Sequence, residues 1–372
     1  MNVTEVHASS QLKSDDSVKA KTAASKSGKE KISQKEAKQK QAKKKSKSDK
    51  KKAGLKSNKK SAKKNSKTAK PRQYVQVPPP LRAMREISAE TLLDDEISIQ
   101  SSAALVVDQK SGEALYAKNV DIPTAIASIT KLMTAMVVLD AELDMGQEIV
   151  VNAEDVDRLK GTGSRLALGT RLTREELLHL ALIASENRAA SALSRSYPGG
   201  RPAFIAAMNR KARELGMKDS HFVDGTGLNS GNRATANDLV KMVDAAYRYP
   251  FIRESSGTGS YDVSVPGTHV VKIKENGKVR KVHRPVQRHI AFNNTNSLTR
   301  NEEWDIGVSK TGYINEAGHC LVMQTRIADQ RVIIVLLDSA GKWGRIGDAQ
   351  RIRKWLEHDH HVASRPEVRK ET

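Results

Sequence analysis

Ser128 and Lys131 stand three residues apart at the start of a segment that reads as a helix, Ala127-Ser128-Ile129-Thr130-Lys131-Leu132. Positions i and i+3 share one helical face, so the lysine amine reaches the serine oxygen. A serine hydroxyl is a weak nucleophile until a base takes its proton. A lysine serves as that base only where part of it is neutral. Burial and neighbouring cations both lower a lysine pKa, so the pair requires a dry pocket that holds further positive charge. Two more polar triplets supply candidates. Ser185-Glu186-Asn187 falls where a helical pattern breaks, and Lys310-Thr311-Gly312 ends a predicted strand. Each triplet alone recurs by chance in long chains; the three in this order and context make a strong joint signal beside the activated serine.

The elements that must position these residues are legible around them. Residues 103–108 and 113–117 read as two strands joined by a turn at 109–112. Leu132, Ala135, Met136 and Leu139 recur at helical spacing and predict a helix over 128–139 that is buried on most sides, which would keep Lys131 dry. A second helix over 173–184 opens with Thr173 as N-cap and Glu176 completing a capping box. Its pattern breaks at 185–187 and resumes at 189–193. Glu186, Arg188 and Arg195 there read as solvated helix charges. Further helices fit 201–215 and 236–247, the latter capped by Thr235. Beyond about residue 257 the texture turns to strand. Segments 261–265 and 269–273 alternate, 275–278 reads as a hairpin turn, and 305–310, 320–326 and 331–337 are successive strands before a last helix over 345–358. Two strands, many helices, then strands and a helix predict an α+β domain: a central antiparallel sheet completed by both ends of the domain, flanked by helices, with a helical lobe inserted.

Charge divides the 372 residues unevenly. Residues 1–72 hold 23 Lys and one Arg against six acids, a net +18 out of the total +21, which leaves +3 for the remaining 300. No aromatic residue precedes Tyr74, so this leader lacks the apolar surface to offset the entropy of ordering and reads as disordered. A chain of that charge is suited to an anionic wall, lipid headgroups or another polyanion such as nucleic acid. The run Pro78-Pro79-Pro80 marks a stiff linker over 73–96. The catalytic domain is expected at 97–360, with a flexible tail at 361–372. Cys320 is the single cysteine, so no internal disulfide forms. The histidines are scattered, with His358, His360 and His361 reading as a helix end, and neither a metal nor an organic cofactor is implied. No apolar run spans a membrane, and no apolar signal core lies near Met1. Val6-His7-Ala8 has the small-residue look of a cleavage site, and the expectation is a true start further upstream that carries a signal peptide.

The three triplets resemble the motifs of the serine penicillin-recognising enzymes, the DD-peptidases and serine β-lactamases. Longer stretches, 129–141, 185–190, 197–200 and 310–323, are similar to those of the low-molecular-mass D-alanyl-D-alanine endopeptidases, and the likeness spans roughly 98–358. The resemblance implies the β-lactamase/DD-peptidase-like transpeptidase fold. It also implies a periplasmic enzyme that cuts D-alanyl cross-links of peptidoglycan and is acylated by β-lactams. By that resemblance Ser128 is the nucleophile, Lys131 its base and Ser185 the relay of the proton to the leaving amine. Asn187 holds the substrate amide, Lys310 supplies a positive field that helps to keep Lys131 neutral, and Thr311 binds a carboxylate or carbonyl. The backbone N–H groups of Ser128 and Tyr313 form the oxyanion hole, and Gly312 leaves room for substrate along the strand edge.

Rival readings remain at this point. A serine β-lactamase needs a base that empties the acyl-enzyme, a Glu in the class A enzymes. Here the corresponding segment 224–229 offers the shorter Asp224 and reads as a structural turn. A D-alanyl-D-alanine carboxypeptidase would use the same machinery on a terminal D-alanine. From a different class, a protein binding wall or nucleic acid through its basic leader would have no use for Ser128.

Overall fold

The computed structural model describes residues 97–275 and 278–363, with side chains to residue 358. The Lys-rich leader, the Pro run, the two residues of the expected hairpin turn and the chain beyond 363 lie outside the described residues. The chain enters on β1 (Ala103–Asp108) and β2 (Ala114–Lys118), then a short β3 (Thr124–Ala125). A 3₁₀ turn, Ala127–Ile129, leads into α1 (Thr130–Asp140). The helical lobe follows as β4 (Glu148–Val150), β5 (Arg171–Thr173), α2 (Arg174–Ile183), α3 (Asn187–Arg195), α4 (Gly200–Glu214), β6 (Arg233–Ala234), α5 (Ala236–Tyr247) and α6 (Pro250–Gly257). A long ribbon of β7 (Ser260–Glu275) and β8 (Lys278–Asn293) precedes β9 (Asp305–Ile314), β10 (Gly318–Ile327), β11 (Gln330–Ser339) and α7 (Gly341–Ala363).

The main sheet has the order β2-β1-β11-β10-β9 and is antiparallel throughout. Both ends of the domain therefore complete one sheet, as the element order predicted, and the lobe is inserted between them. Alternate residues of the central strands face opposite sides. Leu105, Val107, Ile333, Val335 and Leu337 pack toward the lobe, while Ala104, Val106, Ile334 and Leu336 pack toward Ile352 and Leu356 of α7. Covering on both faces explains why these strands read as continuous apolar runs.

The lobe is built around α1. Residues 130–138 of this helix are all buried, the pattern of a helix enclosed on every side. Its neighbour α2 carries the expected capping box between Thr173 and Glu176. Three sequence expectations change. The charges of α3 are not simply solvated: Arg195 is paired at 2.8 Å with Asp155, whose side chain is fully buried. Arg188 donates to the Leu166 carbonyl at 2.5 Å, and Glu186 is buried and accepts the Arg188 N–H at the head of α3. The two short alternating segments after 257 are one continuous strand of 16 residues, paired along its whole length with β8. The closing helix starts four residues earlier than expected, at Gly341.

Candidate active site

Ser128 lies in the 3₁₀ turn rather than in the α-helix that its pattern predicted. The turn is strained: Ala127 has φ +47°, in the left-handed region, where a non-glycine residue costs about 1–3 kcal/mol. Neighbours hold it there. Thr130 Oγ1 donates to the Ala127 carbonyl at 2.8 Å. Gly227, itself at φ +82°, presses against that carbonyl so closely that a Cβ would lie 1.9 Å from the oxygen.

Lys131, one residue into α1, is completely buried. Its Nζ lies 2.8 Å from Ser128 Oγ, 2.8 Å from Asn187 Oδ1 and 2.6 Å from the Thr226 carbonyl. A neutral amine has two N–H donors and one lone pair. Asn187 Oδ1 and the Thr226 oxygen accept only, so they take the two N–H groups. The lone pair then faces Ser128, whose hydroxyl donates to it. Burial drives the Lys131 amine down to about 7, against the pull of the Asp224 and Glu186 carboxylates. Lys310, on β9, is also fully enclosed; burial, then the Lys131 and Arg345 cations, push it well below the ordinary lysine range. The sequence expectation gave Lys310 a share in neutralising Lys131. In the structure desolvation is the largest cause of the Lys131 shift.

The turn at 224–229 is organised by Asp224. One carboxylate oxygen accepts the N–H groups of Thr226 and Gly227, both at 2.6 Å, and the other accepts that of Asn229 at 2.8 Å. Both oxygens are thus engaged in folding the loop that grips Lys131, which fits a structural turn.

Ser185 links α2 to α3 at φ +57°, a second strained position that the break in the helical pattern foreshadowed. Asn187 opens α3, and its Nδ2 donates to Thr162 Oγ1 at 2.9 Å, so its amide is fixed from both ends. β9 brings the third motif to the edge of the sheet. Gly312 is required there, since a Cβ would lie 2.8 Å from the Ile126 carbonyl and 3.2 Å from the Ser128 nitrogen. A cleft of about 470 Å³ is bounded by Ser128, Ser185, Asn187, Thr311, Gly312 and Tyr313. Lys131 lies buried behind Ser128, and the buried Lys310 amine donates to the Thr311 carbonyl at 2.9 Å. All eight sequence-selected residues therefore meet in one place.

Other lining residues were not singled out by sequence. Thr295 bonds Thr311 through their hydroxyls at 2.6 Å and lines the cleft with Asn294; the polar run 293–297 was the available signal. Arg345 donates to the carbonyls of Gly312 and Cys320 at 2.9 and 3.0 Å and so braces the third motif from behind. Nothing adjacent to Arg345 in sequence marks it. His319 stacks on the half-exposed Tyr313 ring with centroids 4.2 Å apart at the cleft rim. Among the described residues no three His, Cys, Asp or Glu side chains converge to hold a metal.

A strained serine turn, a desolvated lysine beside it and a sheet edge along the cleft define a serine acyl-transferase or hydrolase of the penicillin-recognising type. Residues 88–341 match the family model of D-alanyl-D-alanine carboxypeptidases, and the chain belongs to that family. It is 42% identical over 259 residues to a D-alanyl-D-alanine endopeptidase of Pseudomonas aeruginosa, covering 70% of this chain and 78% of the relative. It is 40% identical over 278 residues to a D-alanyl-D-alanine endopeptidase of Escherichia coli, covering 75% of this chain and 83% of the relative. Among solved structures, a Streptomyces DD-transpeptidase superposes with a TM-score of 0.59 at 27% identity, over 69% of this chain and 97% of the transpeptidase. A penicillin-binding protein of Listeria monocytogenes in its ampicillin-bound form gives 0.55 at 25% identity, over 69% and 97%.

Proposed function

We propose that this chain is a periplasmic serine D-alanyl-D-alanine endopeptidase that cuts peptide cross-links of peptidoglycan. The observation that carries the reading is the fully buried Lys131 amine, titrating near 7 and 2.8 Å from Ser128 Oγ. Lys131 takes the Ser128 proton as Oγ attacks the D-alanyl carbonyl. The oxyanion accepts from the backbone N–H groups of Ser128 and Tyr313; one such donor is worth ~10²–10³ in rate. Ser185 passes a proton to the leaving amine as the C–N bond breaks, and water then releases the acyl-enzyme. Asn187 and Thr311 hold the peptide along the free edge of β9. Lys310 recovers charge as a substrate oxygen approaches it, because an anion favours the protonated form. The endopeptidase names of the relatives at 40–42% identity favour a cross-link over a terminal D-alanine. The engagement of both Asp224 oxygens favours a long-lived penicilloyl-enzyme over β-lactamase turnover. The Lys-rich leader adds a contact to anionic wall, lipid or another polyanion.

The test is covalent labelling by a fluorescent penicillin, with Ser128→Ala beside the wild type, followed by digestion of a purified cross-linked muropeptide dimer. Labelling and dimer cleavage should both vanish in the variant. Rapid release of hydrolysed benzylpenicillin by the wild type would instead select the β-lactamase, and release of terminal D-alanine with an intact dimer would select the carboxypeptidase.

A further inference from the structure

The β7–β8 ribbon is anchored at one end only. At its base Val263, Val265 and Phe292 are buried in the core, and the Arg165 guanidinium stacks over Phe292 at 4.0 Å. From Pro266 outward the ribbon leaves that core. Val270, Val279 and Val286 are 45%, 66% and 37% exposed, and among the described residues the ribbon pairs with no other strand. Ten residues of β7 lie beyond the base, roughly 30 Å of strand. A two-stranded ribbon is marginal in water on its own, so an arm this long calls for an explanation.

Its charge supplies one. Residues 266–288 hold seven Lys and Arg side chains against one carboxylate, Glu275. Residues 73–372 together carry only +3, so the whole positive excess of that part of the chain, and more, sits on this arm. The register sets Lys272 directly opposite Lys281 on one face, and His269 opposite Arg284 and Ile273 opposite Arg280 on the other. Like charges directly across a ladder destabilise it. Lysines do guard edge strands against aggregation, but that role is served by mixed signs and does not call for a cation facing a cation.

The arm is also continuous with the cleft. β8 ends at Asn293, and the next two residues, Asn294 and Thr295, line the cleft. A polymer lying in the cleft and continuing past Thr295 meets the foot of the arm. We propose that the outer part of the β7–β8 ribbon is a docking arm for the anionic, carboxylate-bearing wall polymer whose peptide occupies the cleft. This rests on the wall-peptide reading of that cleft. The side chains favour this polymer over other anions. Residues 266–288 contain no Phe, Tyr or Trp to stack nucleic-acid bases. They contain no Trp, Phe or Leu to enter a lipid interface.

The experiment uses the full chain with Lys272, Arg280, Lys281 and Arg284 all changed to Gln, beside the charge-keeping pair Arg280→Lys and Arg284→Lys. Four readouts are compared: cross-link release from insoluble sacculi at low and high salt, turnover of a soluble muropeptide dimer, acylation by fluorescent penicillin, and binding to phosphatidylglycerol vesicles and single-stranded DNA. The neutral variant should lose roughly tenfold on sacculi at low salt, with the loss shrinking at high salt. Its rates with dimer and penicillin should equal the wild type, and the charge-keeping variant should behave as wild type throughout. Undiminished release from sacculi by the neutral variant, whatever happens to vesicles or DNA, overturns the arm; so does an equal loss on the soluble dimer. A wild type that neither takes up penicillin nor cuts the dimer fails the reading of the cleft itself, a separate result.

Discussion

The acid limb of the acylation rate tests the central pair. A lysine with the ordinary value of 10.5 would be neutral in only about one molecule in 3,000 at pH 7. Brought down to about 7 by burial, Lys131 is neutral in about half of the molecules. Desolvation therefore multiplies the competent population by roughly 10³, equivalent to on the order of 5 kcal/mol of differential interaction. On the proposal that neutral Lys131 is the base, the second-order rate of Ser128 acylation by a fluorescent penicillin should be level above pH 8. It should fall tenfold per unit well below pH 7. Glu186 gives the perturbation its sign. Its carboxylate favours the charged amine and so raises the Lys131 pKa. Glu186→Gln keeps an acceptor for the Arg188 N–H but removes that pull, so the acid limb should move to lower pH while the plateau holds. Lys131→Arg, which cannot shed its proton, should lose at least ~10³ at every pH. A rate that stays level down to pH 5, a limb near 10, or a Glu186→Gln limb displaced upward would refute the desolvated-base argument.

Three further outcomes follow from the same geometry. Gly312→Ala places a methyl 2.8 Å from the Ile126 carbonyl and pushes β9 off the nucleophile's turn; penicillin acylation should drop by ~10², and an unchanged rate would show that the strand has slack. Asp155→Ala removes the buried partner of Arg195 and Arg201 and should cost about 3 kcal/mol in urea unfolding, whereas a loss under ~0.5 kcal/mol would put the pair at surface value. Burial pushes the Cys320 thiol up to about 11, so iodoacetamide at pH 8 should leave the native protein unmodified and label it only on unfolding; rapid native labelling would contradict the packing around β10.

Much of the site was legible because motif chemistry is local. Ser128 and Lys131 share a turn, Ser185 and Asn187 straddle one helix break, and Lys310 to Gly312 are consecutive. The capping box of α2 and the antiparallel sheet closed by both ends of the domain were legible for the same reason, since caps and alternation are short-range patterns. What escaped were contacts between distant segments. Arg195 looked like a surface charge on α3 until Asp155, 40 residues earlier, was folded beneath it. Arg345 is separated by 33 residues from the Gly312 carbonyl it holds, and Asn187 by 25 from Thr162. The ribbon was read as short pieces because Pro266 and Gly267 interrupt the alternation, and only pairing with β8 carries the strand through them.

The sequence by itself determined which groups are present to do chemistry and which segments carry them, because residue type and spacing of three or four positions are properties of the chain. The tertiary structure alone decided that the Lys131 amine is desolvated enough to fall to about 7. A lysine pKa answers to the medium around the amine, and beyond its own helix that medium is Asn187 and Thr226 of the 224–227 turn, 56 and 95 residues away along the chain, which reach Lys131 only when the lobe folds.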